Sequence, residues 1–541
     1  MKINKNLFKA LFYLTIVLNL VFVLQIFGSL TEKELSVFFN SDALYLPSIY
    51  KDIFIDNSGF AGWHLNAAPN FFPEWPLYFT VRYITGDFKI AGVVYSLIYV
   101  LAVNVLTVSV IKYVFKRIDY RHLILINIGF ALFLHQYILM NVFYETAFLF
   151  FVGFHGGAYL MALLSLLLFL FYLRRGKVIH LVLLLIIVFL GVLSDRLLIM
   201  YYVVPSLLIL FFIRNNEFWL RILFSSAASI LAAFFGMILY NFIKNSEFIY
   251  IIGLGYKKFD LAKITPAFNN YLQTLNGMIE AGGVELIIVA VFIISIIAGT
   301  GLSLKAIFCS KAKIGNLFLE KVLLVFMTGY IVIVALTPVV HGTFLGQGHL
   351  RYNFSSFYIA MSFFFVILFL LERKKPKISA FVSILTLVLV VAATFSAIRN
   401  EKNNDTIKGL ISLSNYYPEE VKLIDEVAKE HDLQYGVGNY WYAKKTTMFS
   451  KEDVRIYTAL EDLRAWLHVT NENWYFTNRK GKYGNPRFNF VLLNNLNPEG
   501  EFFDKLHEKS DTVQNGNIEI LITPEFGYKN WKNLYLLNEE N

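Results

Sequence analysis

The sequence predicts a polytopic α-helical membrane protein with about eleven transmembrane helices, the N-terminus inside and the C-terminus outside, carrying a C-terminal extracytoplasmic α/β domain. Three observations predict it. Of 541 residues, 57% are hydrophobic and only 16% charged, against roughly 25% charged in soluble proteins. Apolar runs recur from residue 7 to residue 397. Beyond 397 they give way to a mixed pattern of short strands and amphipathic helices.

A spanning helix needs about 20 mostly apolar residues. Runs of this kind lie near 7–28, 89–114, 123–143, 155–173, 178–194, 197–213, 221–243, 284–306, 322–340, 354–371 and 378–397. The first is long for a signal peptide and no A-x-A-like site follows, so it reads as a retained helix. Residues 76–88 are also fairly apolar, which blurs the start of the second run.

Orientation follows from Lys and Arg in short loops. Lys2, Lys5 and Lys9 precede the first run. Lys116, Arg117 and Arg121 follow the second, "RRGK" (174–177) the fourth, Arg214 and Arg221 the sixth. Lys305, Lys311, Lys313 and Lys321 follow the eighth, and "ERKKPK" (372–377) the tenth. Every second loop is basic, on the side of the N-terminus, so that side reads as cytoplasmic. The alternate loops, 29–88, 244–283 and 341–353 among them, read as external. The net charge of +9 is mostly this signal. Residues 401–541 hold 17 Lys+Arg against 22 Asp+Glu, so nothing points to nucleic acid. A single cysteine, Cys309, excludes an intrachain disulfide and a cysteine-based metal cluster.

The chain therefore divides into a transmembrane domain, 1–397, whose first outer loop (29–88) carries surface helices, and a domain spanning 398–541. In the latter, "PEEVKLIDEVAKEH" (418–431) has helical periodicity. "YGVGNYWYA", "VRIYTAL", "RFNFVLLNN" (487–495) and "IEILITP" (518–524) read as strands, the last two separated by the helix-like "EGEFFDKLHEKS". This alternation predicts a compact α/β module. The aromatic "GNYWYAKKTT" (438–447) offers flat apolar faces suited to core packing or to a sugar.

Ionisable residues are costly in lipid and tend to mark a site. They gather at the outer ends of the runs: Asp42, Asp52, His64, Glu74, Glu145, His155, Asp195, Arg196, His341, His349 and Arg351. Asp42, in "FNSDALYLPSIYKDIF" (39–54), is either a helix cap or a reacting group. Glu145 and His155 flank the glycines of "GFHGGAYL", which permit close approach of helices or a ligand. His341 and His349 leave a divalent metal open, but no cysteine or paired carboxylate accompanies them.

Three stretches carry a resemblance. Asp42 with Tyr45, then "GWHLNAAP", then "PEWPLYF" resemble, in order and spacing, the first outer loop of lipid-dependent GT-C glycosyltransferases. The protein O-mannosyltransferases and the lipid A aminoarabinose transferases are the nearest in pattern. "GHLRYNFSSFYIAMSF" (348–363) is similar to the "RYLLPALP" segment of that superfamily. The chain departs at Ala43, where many members have Glu, and at Phe354, where prolines are replaced.

The resemblance implies an enzyme that moves a hexose or pentose from a polyprenyl-phosphate donor to an acceptor on the outer face, with inversion. The acceptor is a glycan, a lipid or a protein. It implies that Asp42 is the general base and that Arg351 and Tyr352 hold the donor phosphate; Arg196, at the same outer level, is a further candidate for that phosphate. Tyr45, His64, Glu74, Glu145, His155, Asp195 and His349 would line the cavity. The chemistry asks independently for these residue types. An attacking hydroxyl must lose a proton, and a departing phosphate suits arginine. No metal is required, and the partners are membrane lipids. Two other readings remain, a transporter or flippase for a lipid-linked glycan and a non-catalytic scaffold. Transporters commonly show repeats and midplane polar groups, and a scaffold needs no lipid-accessible Asp42.

Overall fold

The computed structural model describes residues 5–138, 152–212, 218–244, 246, 249–252, 260–308, 316–476 and 486–537. Two compact units partition the chain. One comprises Met1–Ser29, Asn70–Tyr240 and Tyr256–Ile411, and the other Leu30–Pro69, Asn241–Gly255 and Ser412–Asn541. The second unit thus takes in two stretches of the predicted outer loops besides the C-terminal segment.

Every predicted apolar run falls on a helix. These are Lys5–Ser29, Phe88–Val114, Tyr120–Ile138, Gly156–Arg175, Val178–Ser194, a π-turn Ile199–Val203 continued by Val204–Phe212, Trp219–Lys244, Gly283–Phe308, Asn316–Val340, Phe354–Lys374 and Ser379–Asn404. The run 123–143 is described as far as 138. Among the described residues, eight helices are long and apolar enough to cross a membrane. Tyr120–Leu132, Val178–Ser194 and Ile199–Phe212 are shorter apolar segments. The chain is a polytopic membrane protein with a sheet-containing C-terminal domain.

Local chemistry sets the helix ends. Gly86 adopts φ 69° and closes helix Glu74–Thr85 in the left-handed conformation that glycine tolerates. The Asp87 carboxylate then accepts from Lys89 N and Ile90 N at 2.8 and 3.0 Å and starts the next helix. A long helix between the seventh and eighth apolar runs coincides with none of them. Leu261–Ala281, capped by Asp260 onto Ala262 N, packs on Gly283–Phe308 and Asn316–Val340. Its polar face breaks the apolar run that a spanning helix would show.

Some buried amides of the first unit are paired across helices, which offsets part of the cost of burying them. Asn19 Nδ2 donates to Asn127 O, and Asn127 Nδ2 to Thr15 Oγ1, both at 3.2 Å. The basic-loop ends hold more than cationic anchors. Arg121 pairs with Asp119 and donates to Glu372 Oε1, Ser379 Oγ and Ser383 Oγ, each at 2.9 Å. His122 lies 2.9 Å from both Asp119 Oδ1 and Glu372 Oε2.

The second unit holds two sheets. Strands β1 (Trp63–Leu65) and β2 (Ile249–Ile251) run parallel, and β5 (Thr470–Asn471) pairs antiparallel with β1. The larger sheet has the order β4-β3-β6-β8-β7, with β9 beside β8. Its strands are β3 (Tyr435–Gly438), β4 (Arg455–Thr458), β6 (Phe488–Leu492), β7 (Asp511–Asn515), β8 (Ile518–Asn530) and β9 (Asn533–Leu536). The β4-β3-β6 part is parallel and the rest antiparallel. Ile424, Val427, Val454, Ile456, Phe490 and Ile520 are among the residues of its core.

The helices expected at 418–431 and in "EGEFFDKLHEKS" appear as Glu419–His431 and Glu501–His507. "YGVGNYWYA" is only half strand. After Gly438, the Asn439 side chain accepts from Trp441 N at 3.0 Å and starts helix Tyr440–Phe449. The cap overrides the strand preference of Tyr and Trp.

A buried charge network joins residues 51–56 to β4 within this unit. Arg455 donates to both Asp56 oxygens at 2.8 and 3.2 Å, and Lys51 lies 3.2 Å from Asp56. The Asp56 and Arg455 side chains are 11% and 7% exposed. Removing one partner of a buried pair strands the other charge, at about 3–5 kcal/mol. Arg455→Ala is expected to destabilise this unit by about that amount. Hydrogen exchange of the amides of Tyr435–Gly438 in the purified protein would measure it. Unchanged protection would show the pair to be dispensable.

Candidate functional site

Asp42 lies in a turn ahead of helix Tyr45–Phe54. It is not the cap of that helix. Leu44 occupies the N-cap position and no side chain caps it. The Asp42 carboxylate instead accepts from Tyr440 Oη at 2.7 Å, across 398 positions of sequence. It is half-buried and takes part in no ion pair among the described residues. Ser41 beside it donates to Tyr440 O at 2.5 Å.

Three further groups surround this contact. Lys444, one turn after Tyr440, is 2% exposed. Its Nζ donates to Ser41 O at 3.2 Å and lies 4.9 Å from the centre of the Tyr440 ring. Burial pulls its pKa down to about 7, and the Asp42 charge only partly restores it. His468 packs against Tyr440 at 5.1 Å and stacks on Trp466 at 5.0 Å. Burial and then Lys444 lower its pKa. Burial, reinforced by Asp42, pushes the Tyr440 hydroxyl up, so it acts as a donor to the carboxylate. Nothing in the local sequence links these groups to Asp42. The signal within reach was the aromatic–lysine run "YWYAKK" itself.

Asp52 is structural. It is 2% exposed and accepts from Trp474 Nε1 at 2.7 and 2.9 Å and from Asn471 Nδ2 at 3.2 Å. Burial raises its pKa to about 7 against the pull of those bonds. Tyr45 is 1% exposed, its hydroxyl donating to Pro69 O at 3.2 Å. His64, in β1, lies 3.3 Å from Glu472 and stacks on Tyr250 at 4.4 Å.

The first unit brings a second set together. His155 Nδ1 lies 2.7 Å from Asp195 Oδ2, and Leu197 N donates to Asp195 Oδ1 at 3.0 Å. Burial would raise the Asp195 pKa, but His155 and these bonds hold it below the usual value. The His155 ring lies 5.2 Å from Tyr352, and His349 lies 6.0 Å from the same ring. Arg351 sits over Tyr352 at 5.0 Å and donates to its hydroxyl at 3.1 Å. Arg196 is turned to the Tyr240 ring at 4.7 Å. Neither guanidinium takes part in an ion pair among the described residues. His341 is exposed at the end of Asn316–Val340. Glu145 lies outside the described residues.

Glu74 completes this set. It is 1% exposed, and Gly157 N donates to its Oε1 at 3.0 Å, while its Oε2 has no partner among the described residues. A side chain at Gly157 would overlap this carboxyl group, so the glycine step of "GFHGGAYL" makes room for Glu74. Burial, then the Asp195 charge, raises the Glu74 pKa from 4.5 to about 8. At neutral pH Glu74 is thus protonated, beside an ionised Asp195.

No protein-family model matches the chain, and no curated protein matches it.

A raised carboxyl pKa gives a stability term that is full below about 4.5 and lost as pH rises through about 8. Glu74→Gln mimics the protonated form and removes that term. The wild-type unfolding temperature, followed by intrinsic fluorescence from pH 5 to 9, is expected to fall relative to that of the variant. Parallel curves would mean that Glu74 is ionised throughout.

Proposed function

We propose that the chain is an integral-membrane glycosyltransferase of the GT-C type, acting on a polyprenyl-phosphate-linked sugar at the non-cytoplasmic face. An acceptor hydroxyl attacks the anomeric carbon opposite the phosphate, and the bond from that carbon to the phosphate oxygen breaks. Asp42 takes the hydroxyl proton, and the polyprenyl phosphate leaves with the electron pair. Inversion follows from this single displacement.

The observation that carries the reading is the state of Asp42. Among the described residues its carboxylate is neither a helix cap nor part of an ion pair, and a tyrosine hydroxyl is the donor it accepts from. Such a group keeps the capacity to accept a proton, unlike Asp56, which Arg455 engages twice. Arg351 and Arg196, held on aromatic rings and in no ion pair among the described residues, suit an anionic phosphate. In this reading they serve the donor, with Tyr352 as a further hydrogen-bonding group.

Asp42→Asn keeps an oxygen for the Tyr440 hydroxyl but removes the base. Transfer of labelled hexose and pentose from polyprenyl phosphate in membranes, per amount of folded protein, is expected to fall about 10²–10⁴-fold. Full transfer by this variant would remove the support for the reading.

The proposal includes eleven spans with the basic loops cytoplasmic, by the bias of Lys and Arg. A reporter fused after Asn541 is then external and one inserted near Lys375 internal. The reverse pattern would overturn the outward assignment of the site.

A further inference from the structure

The base assigned to Asp42 leaves a group of aromatic rings around it without a role. Tyr440 is their centre. Trp441 and Trp466 both meet its ring edge-on, at 5.1 and 5.6 Å, and His468 lies parallel to Trp466, at 5.0 Å and 15°. Trp441 is 49% and Trp466 37% exposed, although tryptophan is among the residues with most to gain from burial.

Topology places these rings where ligands bind in α/β folds. Trp441 follows the carboxyl end of β3, and Trp466 N donates to Thr458 O at the carboxyl end of β4. The chain passes from β3 to β4 on one side and then to β6 on the other side of β3. Ligands of open α/β sheets bind outside the carboxyl ends of the strands, the end at which both tryptophans lie.

The loop bearing Trp466 and His468 is pinned. Tyr528 Oη donates to Leu463 O at 2.7 Å, and Leu460 N to Arg464 O at 2.9 Å. Leu463 and Val469, on either side of the two rings, hold φ of 62° and 50°. That conformation is unfavourable for residues of this kind and persists only where its surroundings enforce it. The rings are thus held in place ahead of any ligand.

The charges nearby narrow the occupant. Arg464 is taken up by Asp462 at 2.5 Å, and the Lys444 ammonium is buried under Ser41 O. No cation is presented for a phosphate, and Asp42 would repel one. A lipid chain gains nothing from a carboxylate and an imidazole at its side. A sugar ring offers an apolar face for an aromatic ring and hydroxyls for a carboxylate.

We propose that Trp441, Trp466 and His468 form the seat of a saccharide acceptor, a pyranose ring stacking on the tryptophans with one hydroxyl directed to Asp42. The identity of the acceptor rests on the reading of Asp42 as the base, but the binding does not.

The test uses the full chain in lipid nanodiscs, screened against an array of neutral and acidic di- to hexasaccharides. Hits are then titrated by tryptophan fluorescence and by saturation-transfer NMR. At least one saccharide is expected to bind, with affinity falling about tenfold in Trp466→Ala and in Trp441→Ala and largely kept in Trp466→Phe. Thermal unfolding of each variant controls for folding. No saccharide bound by the wild type, or affinity unchanged in a folded Trp441→Ala/Trp466→Ala double variant, would overturn the proposal. Saturation transfer confined to lipid acyl chains would overturn it in favour of a lipid surface. Asp42→Asn separates the two readings. An active Asp42→Asn variant with saccharide binding intact removes the base and leaves the sugar seat. An inactive Asp42→Asn variant beside a wild type that binds no saccharide removes the seat and leaves the base.

Discussion

A sealed ion pair ties together the distant chain segments of the second unit. Arg455 and Asp56 are both almost wholly removed from solvent and joined by two hydrogen bonds. A charge in such a place is tolerated only with its partner present. The pair therefore fixes residues 51–56 against the first residue of β4, and Asp52, bonded to Trp474 and Asn471, fixes them a second time. Helix Tyr45–Phe54 follows rigidly, and with it the turn that carries Asp42. The short contact between Asp42 and Tyr440 depends on this attachment far more than on any preference of residues 39–44 themselves.

Within that frame the carboxylates of the chain divide by their partners. Asp56 is committed to cations, Asp52 to amide and indole donors, Asp195 to an imidazole, and Glu74 to a backbone N–H. Each environment sets a different protonation state. Burial without a cation keeps Glu74 protonated, whereas His155 keeps Asp195 ionised. Asp42 differs from all four in being half-buried with one neutral donor. This difference makes it the group on which a proton-transfer reading rests.

Lys444 adds a second titrating group at the same place. Its ammonium loses water on burial and gains only a carbonyl, a ring face and the distant Asp42 charge, so its pKa falls to about 7. Near neutrality the charge beside Asp42 is therefore variable.

The membrane class, the helices and most strands of the C-terminal domain were legible in the sequence, for a common reason. Each is written in local periodicity or in the length of an apolar run, and lipid enforces that length. Caps and amphipathic faces were read less well. "NYWYA" has the residues of a strand but starts a helix because Asn439 caps it, and Leu261–Ala281 hides its helix under a polar face. The sequence also singled out Glu74, His155, Asp195, His349 and Arg351 within a larger set of ionisable residues, since such residues at loop ends of a membrane protein stand out by cost, and Tyr352 through the resemblance. It could not say which of them touch. That Asp42 meets Tyr440 and Lys444 rather than capping its own helix was decided by tertiary structure alone. The partners lie about four hundred residues apart, and those two stretches meet through the Arg455–Asp56 pair, the Asp52 hydrogen bonds and the contacts of Ser41 with Tyr440 and Lys444.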